Sequence, residues 1–368
     1  MRSVQCGVTV AAALIAGLIP AATSTAAPLG ASSARATGRA ATSCSTVATI
    51  PVGPAGNVSL GGGVSAVNPR TGKVYVSSIN PSTGAGQVEV IDGTANTVVA
   101  TVPVGDSATG VAVNPRTNKI YVAFRSDPST GAGAVAVIDG TTNTVVATVP
   151  VSFGPSGVAV NPRTNKIYVA NTNQVFHRSK STVSVISGRT NKVIAAIPVS
   201  ISPVAVAVNP RTNKIYVISE PGNAVQVISG RASKVVARVR VGFTPAGVAV
   251  NPRTNKIYVT FQNLAADLHH NKVLVISGRA NTVVARIPVS IIPGGVAVNP
   301  RINKIYAVGS PLGVRGSFLL VISGRTNHVL ATAPAGKLPF DAAVNPRTRT
   351  IYVTNFDGNT VVFTCRRG

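Results

Sequence analysis

The chain has 368 residues, 45% hydrophobic but only 4% aromatic, so its core must be made of Val, Ile and Ala rather than large rings. Thirty-four Lys and Arg against nine Asp and Glu leave a net charge of +25. Such an excess says nothing of fold, but it favours anionic partners: nucleic acid, acidic polysaccharide, phosphate-bearing wall polymer or anionic membrane.

In chain order, Arg2 precedes an apolar run from Val8 to Ile19, then Pro20 and a stretch of small residues ending at Ala27. That three-part pattern predicts a secretory signal peptide over 1–27, cut near Ala26 or Ala27 and taking Cys6 with it. The run is shorter than the roughly 20 apolar residues that a spanning helix needs. Residues 28–43, rich in Ala, Ser, Thr and Gly, read as a flexible leader. No other segment could cross a bilayer, so an exported protein, extracellular or periplasmic and without a transmembrane anchor, is expected.

From residue 44 onward one pattern recurs. Asn-Pro-Arg-Thr-Asn-Lys-Ile-Tyr-Val, with small changes, begins at Asn68, Asn114, Asn161, Asn209, Asn251, Asn299 and Asn345. All seven tyrosines fall at its eighth place, Tyr75, Tyr121, Tyr168, Tyr216, Tyr258, Tyr306 and Tyr352. Each copy holds four short β-branched runs bounded by Gly, Pro and Asn. In the third they are Gly157 to Asn161, Lys166 to Asn171, Thr182 to Ser187 and Lys192 to Val199. Asn-Pro suits the first two places of a type I turn. Its fifth place is Asn in most copies but Gly72 in the first, which predicts left-handed backbone there. Four antiparallel strands at intervals of 42 to 48 residues predict a seven-bladed β-propeller over 44–368.

The seventh copy ends after its third strand, Thr360 to Thr364. The missing fourth stands at the other end, because Ser45 to Gly53 matches Thr97 to Gly105. The N-terminal strand is therefore expected to close the last blade. Cys44 aligns with Asn96 and Cys365 with Asp92, flanking one hairpin end, so the pair should form a disulfide, as an oxidising compartment permits.

Ile351-Tyr352-Val353-Thr354-Asn355, the preceding Val-Asn-Pro and the later Val-Ile-Asp-Gly-x-x-Asn-x-Val resemble the signature of the YVTN β-propeller repeat family, the YncE-like proteins. The resemblance runs from Cys44 to Cys365. It implies a seven-bladed ring outside the cytoplasm, with signature residues that are structural and no catalytic positions to carry over.

Alternation of strand direction puts all one–two and three–four turns at one end of the ring. That end gathers Arg70, Lys73, Arg116, Lys119, Arg163, Lys166, Arg211, Lys214, Arg253, Lys256, Arg301, Lys304, Arg347 and Arg349, two cations per one–two turn. The three–four turns add Arg189, Lys192, Arg231, Lys234, Arg279, Arg325, Arg366 and Arg367 against Asp92 and Asp139. One reading is a positive ring that holds a polyanion in a salt-dependent way; the other is one ancestral turn copied seven times, its charges serving solubility. The opposite end carries the variable loops, with Phe124, Phe176, Phe261 and Phe356 in or beside them.

Catalytic signals are thin. Asp267, His269 and His270 form one loop cluster without a fourth ligand elsewhere, and the remaining histidines are His177 and His328. Asp341 replaces a glycine at the channel mouth and Asp106 lies in another link; acid–base work would need them close. A monomeric binding or scaffold protein without cofactor or metal, engaging an anionic polymer (nucleic acid among the candidates) or a protein, is the expectation. A lactonase-like hydrolase or lyase at the channel mouth is the alternative.

Overall fold

A computed structural model describes residues 42–54, 63–127, 129–172, 181–200, 202–219, 223–242, 244–262, 271–311 and 316–367. The segment 1–27 read as a signal peptide, Asp267, His269, His270, His177 and Phe176 lie outside them. Every regular element among the described residues is a strand, twenty-eight in number. No described helix is long and apolar enough to cross a membrane.

The strands fall where the repeat puts them. In the third unit Lys166–Asn171 and Thr182–Ser187 match the expected bounds, Pro155–Asn161 starts two residues early, and Lys192–Pro198 stops one residue early. Second strands such as Lys214–Ser219 are buried on both faces, because sheets pack against each side. Outer strands such as Lys234–Arg240 alternate exposed residues with half-buried or, at Val239, buried ones.

Within each unit the strands pair antiparallel in chain order. Five sheets have four strands and one has eight, the first two units being joined by the single pair Asp106–Arg125. The strands thus make seven units of four, but six separate sheets rather than the expected seven. The reason is length: Thr97–Asp106 and Lys119–Asp127 outrun their counterparts, Lys192–Pro198 and Lys166–Asn171, and meet beyond the usual end. Each inner strand touches the next, and the last, Pro339–Val344, returns to the first, Ser65–Val67. Apolar clusters fill the gaps between successive units; Tyr216, Val225 and Val227 of unit four meet Ile257, Val259 and Leu274 of unit five.

Strand Thr42–Pro51 pairs with Asn359–Arg367 and completes the sheet of the seventh unit. It begins at Thr42, so Thr42 and Ser43 belong to the sheet and not to the leader. Cys44 and Cys365 are directly opposed there and form a disulfide, their Cα atoms 4.1 Å apart. The alignment of Cys365 shifts by one place. Phe363 pairs with Ile351 as Ile91 pairs with Val74, so Cys365 stands where unit one has Gly93, not Asp92.

All seven outer strands skip one residue near the three–four turn: Val47, Val99, Val146, Ile194, Val236, Val284 and Leu330. Each is an exposed apolar bulge residue. A bulge raises local twist and bends the outer strand.

Candidate anion-binding face

The one–two turn is built from its own sequence. The Asn68 side-chain oxygen accepts the Arg70 backbone N–H at 3.0 Å, and the same bond forms at Arg116, Arg163, Arg211, Arg253, Arg301 and Arg347. The fifth residue is left-handed in every copy, from φ 52° at Asn303 to 79° at Gly72, as the Asn–Gly exchange predicts. In the three–four turn, however, Asn96, Asn143, Asn191, Ser233, Asn281 and Asn327 take that conformation. The glycine there is needed for close approach: a Cβ at Gly230 would lie 2.8 Å from the Tyr168 hydroxyl oxygen of the preceding unit.

Five hydrogen bonds tie successive turns together. Asn68 donates its amide to the fifth residue of the next turn, Asn118, at 2.7 Å. Asn114 does so to Asn165, Asn161 to Asn213, Asn209 to Asn255 and Asn251 to Asn303, all at 2.7–2.8 Å. The sixth link fails, since residue 349 is Arg, and the buried Asn299 amide nitrogen has no partner. The acceptor position for the seventh is Gly72, which has no side chain to accept.

The fourteen cations accordingly divide into two kinds. The lysines serve the fold. Lys73 donates to the Gly140 carbonyl of the next unit at 3.2 Å, and Lys166, Lys214 and Lys256 reach Gly230, Gly278 and Gly324 in the same way. Lys119 instead pairs with Asp139 of its own sheet at 2.7 Å; that bond, helped by two turn amides, holds the Asp139 carboxyl down at about 2. The arginines are exposed: Arg70, Arg116, Arg163, Arg211, Arg253, Arg301 and Arg347 stand one per unit on the same end. Arg349 belongs to neither kind. It occupies the asparagine place and Thr350 holds the lysine place, so the seventh turn keeps two cations but not the lysine position. Arg189, Lys192, Arg231, Lys234, Arg279 and Arg325 are exposed in or next to the three–four turns beside them, and Arg366, exposed as well, stands in the strand Asn359–Arg367.

On the ring axis a cavity of about 180 Å³ is lined from all seven inner strands, by residues such as Ser65, Val111, Val158, Ala205, Gly247 and Gly295. Asp341 is the one ionisable group among its described lining residues. Asp341 is buried and accepts from the Ser65 backbone N–H at 2.8 Å and from its hydroxyl at 2.7 Å. Burial pushes its carboxyl up to about 6, against those bonds. Asp106 is outside this lining, in the outer strand Thr97–Asp106 and not in a link, so the two carboxylates are not brought together.

No protein-family model matches the chain, and no curated protein does. Among solved structures, Kuenenia stuttgartiensis hydrazine synthase is similar with a TM-score of 0.68 and 20% identity, over 85% of this chain and 97% of that one. This chain is a β-propeller. At such identity the likeness carries the fold and no chemistry.

At the other end of the propeller most variable loops lie outside the described residues. Phe124 is buried, its ring against Gly105, and Phe261 packs likewise on Gly242. These two cap sheets instead of lining a rim. Phe356 stays part exposed, its ring centroid 4.5 Å from that of Phe340. His328 is exposed in the three–four turn of unit six. No group of three or more His, Cys, Asp or Glu that could hold a metal occurs among the described residues.

Proposed function

We propose that this propeller is an exported, non-catalytic binding protein of the YVTN, YncE-like kind, and that it engages an anionic polymer through its arginine face. The observation that carries this reading is the division of labour among the turn cations. Copied turns held for folding alone need the lysines, four of which bond to the next unit and one to its own sheet, yet each copy also keeps an exposed arginine without an ion-pair partner among the described residues. Seven such guanidiniums on one end suit repeated phosphate or sulfate groups, which they can hold by paired hydrogen bonds. Hydrolase or lyase chemistry on the axis would need a second acid or base beside Asp341, and the other described lining residues, Gly, Ser, Val and Ala, supply no carboxylate or histidine.

The test is binding of the mature protein to a phosphate-bearing polymer and to duplex DNA at 50 and 200 mM salt. A polymer touching four arginines should lose on the order of 100-fold in affinity over that range. Arg163→Ala should weaken binding and leave the melting temperature unchanged, whereas Lys166→Ala should lower the melting temperature first. Affinity that ignores salt, or no binding to any polyanion, overturns the reading.

A further inference from the structure

The arginine face has one place unlike the rest, in the seventh unit. A cavity of about 500 Å³ opens there, lined by Thr348, Arg349, Thr364, Cys365 and Arg366. Arg349 sits at φ 67°, a conformation that the other six turns give to Asn or Gly. Asn and Gly enter that region readily and arginine does not, so Arg349 sits there against backbone preference. It also breaks the asparagine ring. In five units the amide of the first Asn points at the fifth residue of the next turn; in unit six that amide, Asn299, is fully buried and finds no acceptor. A donor has lost its acceptor at the spot where a cation was introduced. What the place lacks is negative oxygen.

We propose that Arg349 and Arg366, with the Asn299 amide behind them, form a seat for one tetrahedral oxyanion, a phosphate group either free or borne on a polymer. The seat rests on the reading of this end as an anion-binding face, and adds to it a defined point at which one phosphate is held. The Thr348 and Thr364 side chains border the seat, and the Cys44–Cys365 bridge fixes the strand that carries Arg366. The charge of Arg349 reaches the neighbouring unit, where it eases part of the rise that burial imposes on the Tyr306 hydroxyl.

Titration of the oxidised full-length protein with inorganic phosphate at constant ionic strength tests this by calorimetry. One phosphate should bind, at least tenfold more weakly to Arg349→Asn and Arg366→Ala and unchanged to Lys337→Ala, an exposed cation just before the inner strand Pro339–Val344 and outside the arginine face. Arg349→Asn should also melt higher in phosphate-free buffer, since it restores the acceptor for Asn299; a merely destabilised variant would not. Phosphate binding that survives both substitutions, or none in the parent, overturns the seat. A titration with phosphate polymer separates the two readings. Polymer binding without a phosphate seat sinks the seat alone, and a phosphate seat without polymer binding sinks the polymer alone.

Discussion

Asp341 of the last inner strand accepts two hydrogen bonds from Ser65 of the first, across 276 residues of chain. The contact joins unit seven to unit one at the axis, in the same unit whose outer strand is bridged by Cys44–Cys365. The ring is thus held at both margins of its closing sheet.

Asp341 makes stability depend on pH in a specified direction. Its folded value of about 6 lies above the ordinary 3.8, so the folded state holds the proton more tightly. Stability from this group is fully present below 3.8 and is lost as pH rises through about 6, by up to about 3 kcal/mol. Denaturation of parent and Asp341→Asn at pH 4 and pH 7.5 should show the substitution flattening this difference. An equal slope in both proteins would contradict the assignment.

The asparagine ring can be weighed by comparing two substitutions. Asn161→Ala removes the acceptor for the Arg163 N–H and the link to Asn213, whereas Asn299→Ala removes only the acceptor for the Arg301 N–H. Asn161→Ala should cost more by about 1 kcal/mol, the net worth of one hydrogen bond. Urea melts of the two variants give this difference directly.

At the tyrosine–glycine contact, the hydroxyl and the missing side chain should behave oppositely. The Tyr168 hydroxyl is buried without a partner, so Tyr168→Phe should be neutral or slightly stabilising. Gly230→Ala would drive a methyl group into that hydroxyl at 2.8 Å and should cost about 1–3 kcal/mol. Thermal melts decide; a Tyr168→Phe variant that loses more than Gly230→Ala would reverse the argument.

Cys44→Ser with Cys365→Ser opens a covalent loop of 321 residues. In the chain-entropy model the loss is at most about 6 kcal/mol. Hydrogen exchange should rise first along Thr42–Pro51, which pairs with one neighbour only. Protection there equal to that of Lys166–Asn171 would show that the bridge is dispensable to the closing strand.

Much of this was legible before any coordinates. Repeat spacing, β-branched runs and the Asn–Gly exchange at residue 72 locate strands and turn conformations, because these depend on residues within one repeat. What was not legible depends on the neighbouring repeat. Lys166 looks like a free cation until Gly230, 64 residues on, is seen to accept from it. Asn161 reads as a turn former, and its bond to Asn213 needs the register of two sheets at once. Arg349 matches the lysines in charge, but its place in the turn is the asparagine's. The pair Asp106–Arg125 escaped because it follows from strand length, which composition does not mark.

The residue skipped in every outer strand bears on how copies of this protein behave when crowded. A flat, regular rim invites the rim of another molecule to zip onto it through main-chain bonds, and seven rims on one ring would invite seven such encounters. Val47, Val99, Val146, Ile194, Val236, Val284 and Leu330 each interrupt the regular spacing near a turn. Two molecules meeting side by side then find donors and acceptors out of step, so a protein rich in valine strands can remain dispersed at high concentration.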